Sequence, residues 1–320
     1  MEMNFKYKNV LVTGGAGFVG SHLVEELIKL RARVIVVDNT LNKKSYLFTS
    51  IFHKKAKIVK LDICNYKKLL VLIKKYKIDF IFHLAAQALV EEAYVHPKKT
   101  LVNNILSTIN ILEATRINPK IKGLIVASSD KCYGKLRKNK YIETDPLSGD
   151  HPYDASKSAT DLISNTYYKT YKTPVVITRF GNIYGEGDLN YSRIIPCIMN
   201  AIASNKQLLI RSNGKYVRDY LYVKDVVAGY ILLAQNIEKS KGEAFNFGSD
   251  DTLTVLEIIQ QIEKAVHTKI NYKILNTAKN EIPYQSLNCS KIKLMGWRQH
   301  YSIKRIISRI LGWYKNINSV

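Results

Sequence analysis

Val10-Leu11-Val12-Thr13-Gly14-Gly15-Ala16-Gly17-Phe18-Val19-Gly20 reads as a strand, a glycine turn and the start of a helix. The GxxGxxG spacing gives each glycine a task. Gly14 permits the tight turn, Gly17 lets backbone N–H groups approach a pyrophosphate, and Gly20 lets the helix pack close to the sheet. Glycines also serve ordinary turns, so the context decides. Asp38 closes the next apolar run, 18 residues beyond Gly20. A carboxylate there accepts from the ribose 2′-hydroxyl of an adenosine and repels a 2′-phosphate, which points to NAD rather than NADP. Asp62, closing a third run, is placed to face the adenine edge. Phe18, Val19, Asn39, Ile63, Leu84, Ala85 and Ala86 complete the expected cofactor set.

Outward from this turn, short apolar runs alternate with helical patterns, the signature of βαβ units and a parallel sheet. Strands are predicted at residues 10–13, 33–38, 57–62, 79–83, 123–128 and 175–180, and helices at 18–30, 66–76, 100–116 and 153–171. Such spacing needs crossovers, so the strands run parallel. After Gly181 the rhythm breaks. Loops with Gly185 and Gly187 are followed by a helix at 194–203, a turn at Ser212-Asn213-Gly214, a helix at 224–234, a strand at 244–247 and a helix opened by Thr254. The expectation is an α/β chain with a Rossmann-type doubly wound parallel sheet and a second, smaller substrate-binding lobe. The cofactor domain would span residues 1–181, with 221–247 returning to it, and the lobe residues 182–320, the two sharing a cleft.

Length and composition agree. A chain of 320 residues, 46% of them hydrophobic, is too long and too apolar to be disordered. Its apolar stretches are strand-length, far short of the ~20 residues a membrane span needs, and residues 1–8 carry no export signal. Four cysteines, Cys64, Cys132, Cys197 and Cys289, are too dispersed for a metal pair or a disulfide scaffold, so no metal is expected and a reducing cytoplasm fits. There are 49 Lys and Arg against 26 Asp and Glu, a net charge of +23. The excess is scattered in Lys pairs rather than gathered in a stripe, and no zinc finger or RNP signature accompanies it, so it reads as a solvated surface and not as a nucleic-acid interface.

A Tyr with a Lys four residues later on a helix places both on one face. The ammonium favours the phenolate and lowers a phenol pKa from ~10, making a base near neutrality. In a chain so rich in both residues, about two or three chance matches are expected. Four occur: Tyr94/Lys98, Tyr153/Lys157, Tyr168/Lys172 and Tyr220/Lys224. Only Tyr153/Lys157 opens a helix and follows a Ser-rich strand end, Ser128-Ser129-Asp130-Lys131-Cys132-Tyr133-Gly134, by one loop. Loops at strand carboxyl ends converge on the ligand crevice of an open α/β sheet.

With the glycine turn, the His83-Leu84-Ala85-Ala86-Gln87 stretch, Ser128–Gly134, Tyr153/Lys157, Arg179-Phe180-Gly181-Asn182-Ile183-Tyr184-Gly185 and Val217-Arg218-Asp219-Tyr220, the chain resembles extended short-chain dehydrogenases/reductases that modify nucleotide sugars. The similarity spans nearly the whole chain. It implies that Ser129 hydrogen-bonds the sugar C4 hydroxyl, Tyr153 removes its proton, Lys157 holds the nicotinamide ribose and Asn104 supports the catalytic helix, hydride passing from C4 to NAD. The pair after Ser129 separates the reactions. Family 4,6-dehydratases carry an acidic pair there, and 4-epimerases small or apolar residues. Ser129-Asp130-Lys131, with Gln87-Ala88-Leu89-Val90 and Glu143-Thr144-Asp145-Pro146-Leu147, resembles CDP-glucose 4,6-dehydratases. Asp130 would be the acid that protonates the departing C6 hydroxyl, and Lys131 either the C5 base or a charged stabiliser of the enolate. The base role needs a lysine pKa lowered from ~10.4 by about three pH units, which Asp130 opposes.

This chain is shorter than those enzymes and lacks two of their tryptophan-containing stretches, leaving CDP, GDP, UDP and dTDP hexoses or heptoses open. The alternatives are a 4-epimerase, a 4-oxidase that stops at the ketone, or a non-catalytic NAD-sensing or nucleic-acid-binding Rossmann protein. For the substrate, Gln87 is expected at the sugar, Asn182 and Arg218 match family positions on the pyrophosphate, and Arg193, at the start of the 194–203 helix, adds a cation. A homodimer is expected through the helices bearing residues 104–116 and 153–171.

Overall fold

The computed structural model describes residues 4–135, 140–277 and 282–318. Residues 1–3, the first part of the segment read for an export signal, lie outside these. Six strands form the body of a seven-stranded sheet: β1 (Asn9–Thr13), β2 (Arg33–Asp38), β3 (Lys57–Lys60), β4 (Phe80–His83), β5 (Gly123–Ala127) and β6 (Val175–Phe180). Spatial order runs β6-β5-β4-β1-β2-β3, with the Ala244–Phe247 strand outside β6. The β1–β2, β1–β4, β2–β3, β4–β5 and β5–β6 pairs are parallel. Strand order reverses between β1 and β4, and in doubly wound sheets the ligand crevice opens at that point.

The strands are apolar without alternation because both faces are covered. On one face Leu11, Ile35, Val37, Ile81 and Leu124 pack with Leu69 and Ile73 of the Tyr66–Tyr76 helix and Ile111 and Leu112 of the Pro97–Arg116 helix. On the other, Val10, Val12, Val34 and Val36 are equally buried, and Phe82 meets the Tyr230 ring edge-on at 6.3 Å. Helix boundaries follow local chemistry. Pro97 and Pro152 stand at the first helical positions, where the missing N–H costs nothing. The sequence places these starts one to three residues later. β3 ends two residues early, because Asp62 turns the chain and its carboxylate accepts the Cys64 N–H at 2.9 Å.

The chain divides into two compact units, one of Met1–Gly134, Glu143–Arg179 and Val227–Asn246, the other of Lys135–Ile142, Phe180–Val226 and Phe247–Val320. The second unit holds a small sheet in which Val217–Tyr222 pairs in parallel with Asn182–Tyr184 and Tyr284–Gln285, and antiparallel with Thr252–Thr254. Three of its helices, Ile194–Ala203, Val255–Val266 and Ile303–Asn318, bury Ile198, Ile258, Ile262, Ile307 and Ile310. Thr254 caps the second helix in a reciprocal capping box with Glu257. These strands of two to six residues escaped sequence reading, since so short a run shows no usable period.

Candidate active site

The glycine turn folds as its spacing requires. Gly14 has φ +69°, and a Cβ there would lie 2.7 Å from the Ala85 backbone nitrogen, so only glycine brings the ends of β1 and β4 this close. A Cβ on Gly20 would run into the Gly14 carbonyl. Asp38 ends β2 beside this turn, accepting from the Ala16 N–H at 3.2 Å and the Thr40 N–H at 3.1 Å. Burial pushes its carboxyl pKa up, and these two N–H groups offset part of that cost. Phe18, Val19, Leu84, Ala85, Ala86 and Gln87 are half-buried at the same strand ends, whereas Asn39 and Asp62 are exposed and Ile63 is buried.

The second cluster is built where β4 and β5 meet the Pro97–Arg116 and Pro152–Tyr171 helices. Ser129 caps the short Asp130–Tyr133 helical turn, its hydroxyl accepting the Lys131 N–H at 3.2 Å and donating to the Asp130 carboxylate at 3.0 Å. Tyr153 and Lys157 lie a turn apart within the Pro152–Tyr171 helix. Of the other Tyr/Lys pairs, Lys172 is the left-handed cap beyond that helix's end, Tyr220 is on a strand, and Tyr94 and Lys98 belong to different helices. Lys157 Nζ donates to the Ala127 carbonyl at 2.8 Å, tying the helix to the end of β5. Desolvation brings the buried ammonium down to about 8.

Asn104 is a bracket. Its side chain accepts the Gln87 N–H at 2.7 Å and donates to the Gln87 carbonyl at 3.0 Å and to the Ser156 hydroxyl at 2.9 Å; Ser156 donates in turn to the Tyr153 carbonyl at 2.7 Å. One buried amide thereby fixes both the strand-end loop and the first turn of the Tyr153 helix. Beneath it runs a relay the sequence reading missed: Thr13 Oγ1 to His83 Nδ1 at 2.8 Å, His83 Nε2 to Thr108 Oγ1 at 3.4 Å, and Thr108 to Thr160 at 3.3 Å. Burial, with the Lys157 ammonium second, holds His83 at about 3, so the imidazole is neutral. Also missed was Asp154, one residue past Tyr153, whose carboxylate lies 3.1 Å from His151 Nε2. A charged residue on the inward face of a helix was the available signal.

Asn182, Arg193 and Arg218 belong to the second unit. Arg193 is the residue before the Ile194–Ala203 helix, half-exposed, with its guanidinium 3.1 Å from the buried Asp188 carboxylate. Arg218 donates to the Val217 carbonyl at 2.8 Å and lies over the Tyr216 ring. Its neighbour Asp219 is buried and accepts from Thr252 Oγ1 and the Leu287 N–H, both at 2.8 Å.

The sequence matches the family described as GDP-mannose 4,6 dehydratase over residues 11–310. The chain belongs to that family. The CDP-glucose 4,6-dehydratase of Salmonella typhimurium is 30% identical over 342 residues, covering 98% of this chain and 93% of that protein. The structure of dTDP-glucose 4,6-dehydratase from Bacillus anthracis in complex with NAD has a TM-score of 0.85 at 27% identity and covers 97% of both chains. That of the UDP-glucose 4-epimerase of Thermotoga maritima with UDP-glucose has a TM-score of 0.86 at 26% identity, covering 96% of this chain and 99% of that one. For this member of the GDP-mannose 4,6-dehydratase family the residues present fit NAD: a glycine turn between β1 and the Phe18–Lys29 helix, with Gly14 at φ +69°, and a carboxylate at the end of β2.

Proposed function

We propose that this chain is an NAD-dependent nucleotide-sugar 4,6-dehydratase. The observation that carries the reading is the Ser129-Asp130-Lys131 turn, which sets a buried carboxylate in hydrogen-bond contact with the serine at the end of β5. An enzyme that only inverts C4 needs no acid for a leaving group at C6. Gly14, Gly17, Phe18, Val19, Gly20, Asp38 and the Leu84–Ala86 loop would hold NAD, which when bound would accept a hydride from the sugar C4 and deliver it to C6. Tyr153 takes the C4 hydroxyl proton, Lys157 stabilises the phenolate, and Ser129 orients that hydroxyl. Asp130 protonates the departing C6 hydroxyl. Incubation with a panel of CDP, GDP, UDP and dTDP hexoses and heptoses is expected to give a 4-keto-6-deoxy sugar from at least one, with solvent deuterium at C5. A C4 epimer or a simple 4-ketone as the sole product means that the epimerase or 4-oxidase alternative, which the likeness to the Thermotoga epimerase supports, is correct.

Asn182, Arg193 and Arg218 are assigned to the substrate pyrophosphate, with Gln87 at the sugar. Arg presents paired planar donors that suit such a group. Arg218→Ala is expected to weaken nucleotide-sugar binding by about 2–4 kcal/mol through loss of charge-assisted bonds, while NAD binding stays unchanged. Calorimetric titration with each ligand separates this from a structural role, in which both affinities fall together or neither does.

The partner is a second copy of the chain. Ile111 and Leu112 of the Pro97–Arg116 helix face the sheet, but Val102 and Leu106 on it, and Leu162 and Tyr171 on the Pro152–Tyr171 helix, are exposed. Two adjacent helices with such apolar outer positions suit a four-helix interface. Light scattering is expected to give twice the chain mass, and the double variant Leu106→Glu/Leu162→Glu a monomer.

A further inference from the structure

Thr13 and His83, at the ends of β1 and β4, are buried with Thr108 of the Pro97–Arg116 helix and Thr160 of the Pro152–Tyr171 helix. Their hydrogen bonds can point only one way. Thr108 Oγ1 gives its single hydrogen to the Asn104 carbonyl at 2.7 Å, so Thr160 at 3.3 Å and His83 Nε2 at 3.4 Å are the donors to that oxygen. A neutral imidazole with its proton on Nε2 has a bare Nδ1. That nitrogen accepts from the Thr13 hydroxyl at 2.8 Å, and Thr13 Oγ1 in turn accepts the Ala85 N–H at 3.3 Å. The Thr13 carbonyl takes the preceding N–H, that of Leu84, at 3.1 Å. The Leu84–Ala85 backbone is thereby seated on the end of β1, against the glycine turn, where a Cβ at position 14 would collide with it.

We propose that His83 is a positioning residue for the cofactor: as the Nε2–H tautomer it turns the Thr13 hydroxyl to receive the Ala85 N–H, and so fixes the Leu84–Ala86 loop beside the glycine turn. The inference rests on the reading of that loop as part of the NAD site and deepens it. The role calls for a side chain that accepts toward β1 and donates toward the helices, and the neutral imidazole does both. An imidazolium would point a hydrogen at the Thr13 hydroxyl and take away its acceptor. Burial, and after it the Lys157 ammonium, hold the ring at about 3, so it is neutral above that pH and the seat of the loop is kept. At the far end of the loop the Gln87 N–H is held separately, by the Asn104 side chain at 2.7 Å. His83 therefore governs the Ala85 end alone.

The first test is on the wild type. Long-range proton–nitrogen NMR spectra of protein labelled with 15N-histidine, with His83 assigned by its loss in H83N, are expected to show a proton on Nε2 and none on Nδ1. That pattern should persist across about pH 5–8, where an ordinary histidine titrates. A proton on Nδ1, or a ring that titrates in this range, overturns the inference. The second test is NAD affinity by calorimetry. T13V keeps the shape of the side chain without the hydroxyl, and H83F fills the site without donor or acceptor; each should weaken NAD binding about tenfold, the scale of one lost hydrogen bond. T13S and H83N, which keep the hydroxyl and an acceptor for it, should bind NAD as the wild type does. H83N still loses the bond to Thr108, so it should melt earlier than wild type with its NAD affinity intact, which separates the seating of the loop from general stability. T13V/H83F should bind no more weakly than either single variant, because both act through one bond. T13V against T13S, with the wild-type spectra, tests the inference without relying on the folding of H83F. Wild-type affinity in T13V, additive losses in the double variant, or an H83N protein that binds NAD as poorly as T13V overturns the inference alone. A wild type that takes up no NAD overturns the cofactor reading and this inference with it.

Discussion

Tyr153→Phe is expected to lower kcat by about a thousandfold, the middle of the range that one positioned acid–base group contributes. The change deletes a single oxygen. It leaves in place the bracket that aims the helix, because Ser156 bonds the Tyr153 backbone carbonyl and Asn104 bonds Ser156. Binding of NAD and of the nucleotide sugar should therefore persist, and the loss should appear in kcat rather than KM. The pH dependence of the wild type carries the same logic. Burial lowers the Lys157 pKa to about 8, so its charge is complete below that pH and disappears as pH rises through it. With the ammonium gone, the phenolate loses its electrostatic support, and kcat should decline on the alkaline side. Stopped-flow rates for both proteins, with circular dichroism to verify folding, decide the point. A Tyr153→Phe enzyme within tenfold of wild type would remove Tyr153 from the proposed chemistry.

Arg179→Leu is expected to destabilise the protein by about 3–5 kcal/mol, the cost of breaking a buried ion pair by removing one partner. Arg179 is 4% exposed, and its Nε and Nη2 donate to the two Asp161 carboxylate oxygens at 2.8 and 2.7 Å. Its remaining nitrogen, Nη1, donates to the Tyr133 hydroxyl at 2.6 Å and to the Glu143 carbonyl at 3.0 Å. Tyr133 passes the chain of bonds to Asn246 at 2.7 Å. One guanidinium thus joins the end of β6, the Pro152–Tyr171 helix, the turn after Ser129 and the approach to Tyr153. Leucine fills much of the space but leaves the buried Asp161 side chain without its guanidinium partner. At about 2–4 °C per kcal/mol for a domain of this size, the melting temperature should fall by roughly 10 °C. Asp161→Asn/Arg179→Leu should recover part of that loss, since it removes the stranded charge. Calorimetry showing no loss in the single variant would mean that the pair contributes nothing net.

The limits of the sheet strands and long helices in the first unit were legible within a few residues, because apolar periodicity, proline and glycine act locally, whereas the short Tyr46–Thr49 and Val90–Val95 helices went unread. The turn at Gly14–Gly20 and the placement of Tyr153 and Lys157 on one helix were legible for the same reason: each depends on residues at most one loop apart. The resemblance to nucleotide-sugar dehydratases added roles that spacing alone does not give. What stayed hidden were partners far apart in the chain. Thr13 and His83 are 70 residues apart, Asn104 and Ser156 are 52 apart, and Tyr133 and Asn246 are 113 apart. Nothing in the neighbourhood of one such residue encodes the other. Arg179 stands in a motif without a task, and nothing in the sequence singled out Asp154.

The sequence by itself determined the doubly wound sheet, the glycine turn and the order of the chemical residues along the chain, because these follow from side-chain period and backbone freedom at single positions. Only the tertiary structure decided which polar side chains are buried against one another. That matters because the protonation of His83, Asp154 and Lys157 is set first by desolvation, and desolvation is a property of the packed surroundings rather than of the residue.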